Sequence, residues 1–259
     1  MTIVPFNHPA RPRGEFRPLK ALHHFRKLIA DKEDTEQIFH IIQALRSKKA
    51  WEIASNFWHS EKGQRVLGTE RRLIDILDDH DTLKQLPAGT VGRAYVDFME
   101  REGLSAAGLE AEYAKFTVEG SRYEDGIDRY GDRQRDTHDM LHILTGYGRD
   151  ALGEQCVLAF TYAQNRNLGI GFTAYAGGFE LKRRVARSAP ILGAVREGHR
   201  IGKAAKNIVH EDIEALLREP LVDARERLGI AEPVIYKAAH EAMRSSGVDP
   251  YNLLAPVTA

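Results

Sequence analysis

The chain is expected to be all-α, a single multi-helix domain, and three observations predict this. Apolar residues recur at three- and four-residue spacing from Leu19 to Met243. No alternating apolar–polar pattern survives for six residues, and Phe116–Val118 is the one strand-like hint. Charged or glycine-bearing joints separate the stripes at helix-length intervals.

Taken in order, Met1–Pro18 is rich in Pro and Arg and is expected to be irregular, with a single domain from residue 19 to 259. Leu22, Phe25, Leu28 and Ile29 form one helical stripe within Leu19–Ile29, and Ile38, Ile41, Ile42 and Leu45 form another within Thr35–Leu45. Asp31 to Asp34 is the charged turn between them. Trp51 to Trp58 continues in helical period, and Gly63 and Gly68 punctuate the next joint. Arg71–His80 predicts a short helix ending at Asp81. Thr90 is a candidate N-cap for a helix that turns Val91, Ala94, Tyr95 and Phe98 inward. Ser105–Glu124 is an amphipathic connector, and Arg129 to Arg135 is an Arg-rich lead-in to the segment that carries the chemistry. Pro220 starts a further helix, and Tyr236–Met243 is the last before a loose tail.

Composition excludes several classes. Lys+Arg and Asp+Glu are both 37, so no global charge argues for nucleic acid. The single cysteine, Cys156, excludes an intramolecular disulfide, suits a reducing compartment, and sits in an apolar run as a small buried hydrophobe. No stretch approaches the ~20 apolar residues that span a bilayer, so the protein is expected to be soluble or peripheral to a membrane. Met1–Pro18 carries neither a secretory signal core nor an amphipathic presequence run.

The chemistry concentrates in His138-Asp139-Met140-Leu141-His142 through Glu154. At about 100° per residue, His138, Asp139 and His142 fall on one helix face, the spacing that lets two imidazoles share a metal. Glu154 cannot join them on a straight helix, since twelve residues rise ~18 Å. Gly146 suits a helix C-terminus, Gly148 loosens the turn, and Asp150 suits the start of a second helix. A helix-hinge-helix clip would bring His138, Asp139, His142 and Glu154 to one divalent ion: zinc, iron, manganese, cobalt or magnesium. A hydrogen-bonded helix pair without metal is the alternative.

A zincin would need Glu after the first histidine, where this chain has Asp139. A di-iron bundle would need two Glu-x-x-His motifs, and there is none. A His-Asp phosphohydrolase would draw further ligands from His40, His59 or His80. A mononuclear site with open positions fits the four ligands better.

Three other segments carry candidates. Arg133 and Arg135 can balance acidic ligands or bind a substrate carboxylate, or be solvated surface arginines. Within Leu168–Phe179, Gly169, Thr173 and Ala176/Gly177 make a small-residue stripe, with Ile170, Phe172, Tyr175 and Phe179 as the bulky residues. That pattern serves close helix packing or the floor of a groove for an isoprenoid tail. From Lys182 to Val209 the chain is strongly basic, and Lys182, Arg196, Arg200 and Lys203 suit an anionic membrane face or a solvated helix.

These residues resemble the coenzyme Q (ubiquinone) biosynthesis protein "four" family. His138-Asp139-x-x-His142, eleven residues, then Glu154 matches its signature. Arg133-x-Arg135, Leu144-Thr145-Gly146 and Leu86-Pro87-x-Gly89-Thr90-x-Gly92-x-Ala94-Tyr95 match further blocks, and the resemblance runs from about residue 63 to 230. Gln134 departs from the family's Tyr, and the Trp the family carries after a later Pro is absent around Pro190. The resemblance implies an all-α, peripheral, dimerising protein of ubiquinone biosynthesis that binds a polyprenyl lipid near a metal. It further implies removal of the C1 carboxyl of a prenylated 4-hydroxybenzoate and its replacement by hydroxyl, an oxidative decarboxylation. The other implied role is a non-catalytic scaffold for the partner enzymes of that pathway. Without presequence features, a bacterial member at the cytoplasmic face of the inner membrane is expected.

Overall fold

The structure is a computed structural model that describes residues 4–11, 14–31, 34, 36–67, 72–117 and 122–253. Among these residues the regular structure is helical, and the strand-type pairings are two isolated bridges, Phe16 with Leu45 and Thr90 with Pro220. The all-α class is as expected.

The first stripes form α1 (Pro18–Ala30), α2 (Glu36–Ala44), α3 (Lys48–Trp58) and α4 (Glu61–Leu67). Lys32, Glu33, Thr35, Gly68 and Arg71, which belong to the joints read from sequence, lie outside the described residues. The single short helix expected up to Asp81 is instead two, α5 (Leu73–Leu77) and α6 (His80–Lys84). The reason is local. Asp79 accepts a hydrogen bond from the Thr82 amide at 3.2 Å and starts a new helix.

Thr90 caps α7 (Val91–Glu102) as expected, its hydroxyl accepting from the Arg93 amide at 3.3 Å. Val91, Tyr95 and Phe98 are buried, and so are Val96 and Met99. The connector contains α8 (Ala106–Thr117), so the strand-like hint is helical at Phe116, and Val118 lies outside the described residues. Buried Asp125 caps α9 (Gly126–Asp136). The same carboxylate binds Arg11 at 2.8 and 2.7 Å, while Phe6 packs against Trp58. The irregular N-terminal segment is thereby anchored on α3 and α9.

The second half is α10 (His138–Thr145), α11 (Ala151–Asn165), α12 (Leu168–Arg184), α13 (Ile191–Ala204), α14 (Ile213–Arg218), α15 (Leu221–Leu228) and α16 (Val234–Ser245). Helix α13 lies tightly along α11. A Cβ at Gly198 or Gly202 would come within 2.5 Å of the Cys156 or Phe160 carbonyl oxygen, so only glycine permits that approach. Leu144, Leu152, Cys156, Phe160, Ile201 and Met243 join Tyr95 and Met99 in one apolar core. Each large side chain so buried contributes ~1.5–3 kcal/mol. That core backs both α10 and α11, which carry the chemistry.

Candidate metal centre

Helix α10 stops where Gly146 enters the left-handed region (φ 76°), with its amide bonded to the His142 carbonyl at 2.9 Å. Glycine takes this conformation without a Cβ penalty. Four residues later Asp150 caps α11, accepting from the Leu152 and Gly153 amides at 3.1 and 3.2 Å. The reversal is tight: a Cβ on Gly153 would lie 1.9 Å from the Gly148 carbonyl oxygen. Glu154, in the first turn of α11, therefore faces α10.

The ligand atoms of His138, Asp139 and His142 lie within 4.8 Å of one another. Glu154 bridges the two imidazoles, with Oε2 at 3.4 Å from His138 Nε2 and Oε1 at 3.5 Å from His142 Nε2. His142 is the most constrained member. Its side chain is 1% exposed, its ring stacks on Phe98, and its Nδ1 lies 3.1 Å from the Tyr147 carbonyl oxygen. That carbonyl can only accept, so Nδ1 carries the hydrogen and Nε2 presents what remains. Buried Nε2 has no hydrogen-bond partner. A lone pair there would repel the Glu154 carboxylate 3.5 Å away, so a cation, either a proton or a metal ion, has to lie between them.

The charges show that a proton can fill that place, making His142 and Glu154 a buried ion pair. Burial works against a charged His142, but Glu154 outweighs it and raises the imidazole above its ordinary value. Burial also opposes ionisation of Glu154, yet His142 and His138 hold it well below the usual carboxylate range. His138, Asp139 and His142 form a possible metal-binding triad, with Glu154 beside both imidazoles.

Two neighbours were not legible as site residues. Arg149, in the hinge, brings Nε to 3.8 Å from Glu154 Oε1. The Tyr95 hydroxyl is fully buried without a hydrogen-bond partner; burial, then the charge of Asp139, raises its pKa.

Arg133 and Arg135 are held elsewhere. Arg133 donates from Nε to the Val209 carbonyl at 2.6 Å and from a terminal nitrogen to the Glu211 carbonyl. Arg135 donates to Asp136 at 3.0 and 2.8 Å and to Asp132 at 2.9 Å. A substrate carboxylate at either would have to displace these partners. Both arginines line a crevice of about 1060 Å³ with Glu110, Asp132 and Asp136, and no clip residue lines it.

The α12 residues do not share one face. Ile170 is buried at 8% exposure, whereas Phe179 is 57% exposed. Phe172 meets Phe25 edge-on at 5.3 Å, and Tyr175 bonds His199 at 2.8 Å. The small-residue side is filled by neighbours: a Cβ on Gly169 would lie 2.5 Å from Ile42 Cα, and one on Gly177 would lie 2.3 Å from Gln155 Oε1. Lys182, Arg196, Arg200 and Lys203 are all exposed. His40 stacks on His24, His59 lies beside Phe6, and His80 lies edge-on to Tyr95. None of these three belongs to the ligand cluster found among the described residues. Cys156 is buried, and burial pushes its thiol up. No helix among the described residues is long and apolar enough to cross a membrane.

Comparisons with known proteins identify the family of the chain. Residues 27–234 match the family model described as coenzyme Q (ubiquinone) biosynthesis protein Coq4. The mitochondrial ubiquinone biosynthesis protein coq-4 of Neurospora crassa is 30% identical over 174 residues, 66% of this chain and 47% of that protein. Its counterpart from Pyricularia oryzae is 30% identical over 190 residues, 72% of this chain and 59% of that one. The chain thus spans about half to three-fifths of the length of these relatives. A crystal structure from Nostoc punctiforme, of a protein attributed to ubiquinone biosynthesis, shares the fold with a TM-score of 0.60 at 18% identity, covering 84% of this chain and 100% of that one. With most of its length inside the match, this chain belongs to the Coq4 family of coenzyme Q (ubiquinone) biosynthesis proteins.

Proposed function

We propose that the chain is a metal-dependent enzyme of ubiquinone biosynthesis that replaces the C1 carboxyl of a polyprenylated 4-hydroxybenzoate with a hydroxyl. The observation that supports this reading is the convergence of His138, Asp139 and His142, with Glu154 within 3.5 Å of both imidazoles. His138, Asp139, His142 and Glu154 would hold the ion, which when bound supplies a Lewis acid able to polarise the ring carboxylate or engage dioxygen. The reaction is a two-electron oxidation: dioxygen and water enter, and carbon dioxide, hydrogen peroxide and the phenol leave. Arg149, beside the clip and partly exposed, supplies the cation for the substrate carboxylate. Phe98, stacked on His142, and its core neighbours keep water from the His142 side.

The prenyl tail is assigned to the outer face of α12. Leu168 and Phe179 are exposed there, and Phe172 packs on Phe25, whose helix also exposes Leu22 and Leu19. The exposed Lys182, Arg196, Arg200 and Lys203 suit anionic lipid, consistent with peripheral attachment, in a bacterium at the cytoplasmic side of the inner membrane. The protein is taken to act as a homodimer among other ubiquinone biosynthetic enzymes. The same exposed apolar face favours a second reading, a prenyl-lipid-binding scaffold without catalysis.

Incubation with a short-tail prenyl-hydroxybenzoate in air, with mass spectrometry of the products, tests the first reading. The C1-hydroxylated phenol is expected with wild type and not with His142→Ala. No product with iron, manganese, cobalt or zinc would contradict it, and lipid binding retained by both proteins would then favour the scaffold.

A further inference from the structure

The family match ends at residue 234, and α16 begins there. This helix is built into the hinge of the clip. Its N-terminus has no side-chain cap of its own. Instead Glu197 of α13, 2% exposed, accepts from the Ile235 amide at 3.0 and 2.9 Å and from the Tyr236 amide at 3.1 Å. Ala239 and Met243 enter the main core.

From this seat two buried side chains reach the hinge. The Tyr236 hydroxyl accepts from the Gly148 amide at 3.0 Å and donates to Asp150 Oδ2. His240 Nε2 donates to Asp150 Oδ1 at 3.0 Å. Asp150 is the N-cap of α11, so its carboxylate answers to both helices. The Tyr236 ring also packs edge-on against Tyr147 at 5.2 Å. Tyr147 supplies the carbonyl that fixes the His142 tautomer, and Asp150 sets the turn that carries Glu154.

We infer that Tyr236 and His240 are positioning residues for the metal clip: α16 holds the Gly148–Asp150 hinge so that His142 and Glu154 converge. The inference rests on the metal reading above. Partners bonded directly to a ligand change metal affinity about ten- to a hundredfold when removed, and Tyr236 and His240 act one bond further out, through Asp150.

The test is Co(II) titration of the full chain, followed by its visible absorption and by chelator competition, with thermal unfolding alongside. Tyr236→Phe and His240→Leu are expected to bind Co(II) up to about tenfold more weakly, the low end of the range for direct ligand partners, with a shifted absorption band. His240→Gln, whose amide can still donate to Asp150, is expected to restore both affinity and band. Unchanged affinity and band in all three variants overturns the inference while leaving the metal site standing. Loss in His240→Gln equal to that in His240→Leu also overturns it, because the hydrogen bond to Asp150 is then not the cause. Wild type that takes up no Co(II) overturns the metal reading itself, and this inference with it.

Discussion

Two buried polar clusters flank the junction of α9 and α10, and they are built on opposite principles. In the first, Tyr130 bonds Asn165 at 3.0 Å and His210 at 3.1 Å, Asn207 bonds Asn165 at 3.1 Å, and Arg133 bonds the Val209 and Glu211 carbonyls. These groups have exchanged water for protein partners, and they tie α9 and α11 to the segment around residue 210. In the second cluster, His142 Nε2 is as deeply buried and faces only a carboxylate. Buried polar groups are ordinarily closely matched, and the loose 3.5 Å contact between His142 and Glu154 leaves room for a cation to join them. Burial alone did not separate the two clusters; the closeness of the contacts did, about 3 Å in the first and 3.4 to 3.5 Å in the second.

The comparison can be broken at either end. Arg133→Met removes a charged donor from two carbonyls, one of them buried, and is expected to cost about 3 kcal/mol in denaturant unfolding. Metal stoichiometry of the folded protein should stay at the wild-type level. Loss of metal without loss of stability would reverse the roles assigned to the clusters.

A smaller effect sharpens the same contrast through pH. Burial, helped by Lys62 and Arg133, holds the His210 imidazole down at about 4, below its ordinary 6.5. The unfolded chain therefore binds the proton first. The His210 contribution is fully present above pH 6.5 and is lost as pH falls toward 4. Between pH 7 and 5 this amounts to about 2 kcal/mol. His210→Phe, which can keep the stack on Phe57, should remove that pH dependence in unfolding curves. A slope unchanged by the substitution would assign it to another group.

Much of this was legible in the sequence, for identifiable reasons. Helix period, the Thr90 cap, the Gly146 terminus and the spacing of His138, Asp139 and His142 are local, and local rules read them. The return of Glu154 followed from the hinge glycines and Asp150. The break at Asp79 was equally local but was masked by the continuing apolar period of Leu73, Ile74 and Leu77. What escaped is long-range. The partners of Arg133 lie 76 and 78 residues further along the chain, and those of Asp150 on α16 lie 86 and 90 residues further. No window of sequence contains such pairs. On α12, the outward position of Phe179 and the inward one of Ile170 depend on α2 and α11 closing over the small-residue side.

The central claim is that the His138–Glu154 clip holds a metal ion. Elemental mass spectrometry of protein purified without chelator or affinity tag, for wild type and His142→Ala, tests it most directly. Near-stoichiometric divalent metal in wild type and little in His142→Ala is the predicted result. Metal absent from both, or equal in both, would make the clip a hydrogen-bonded helix pair and contradict the account.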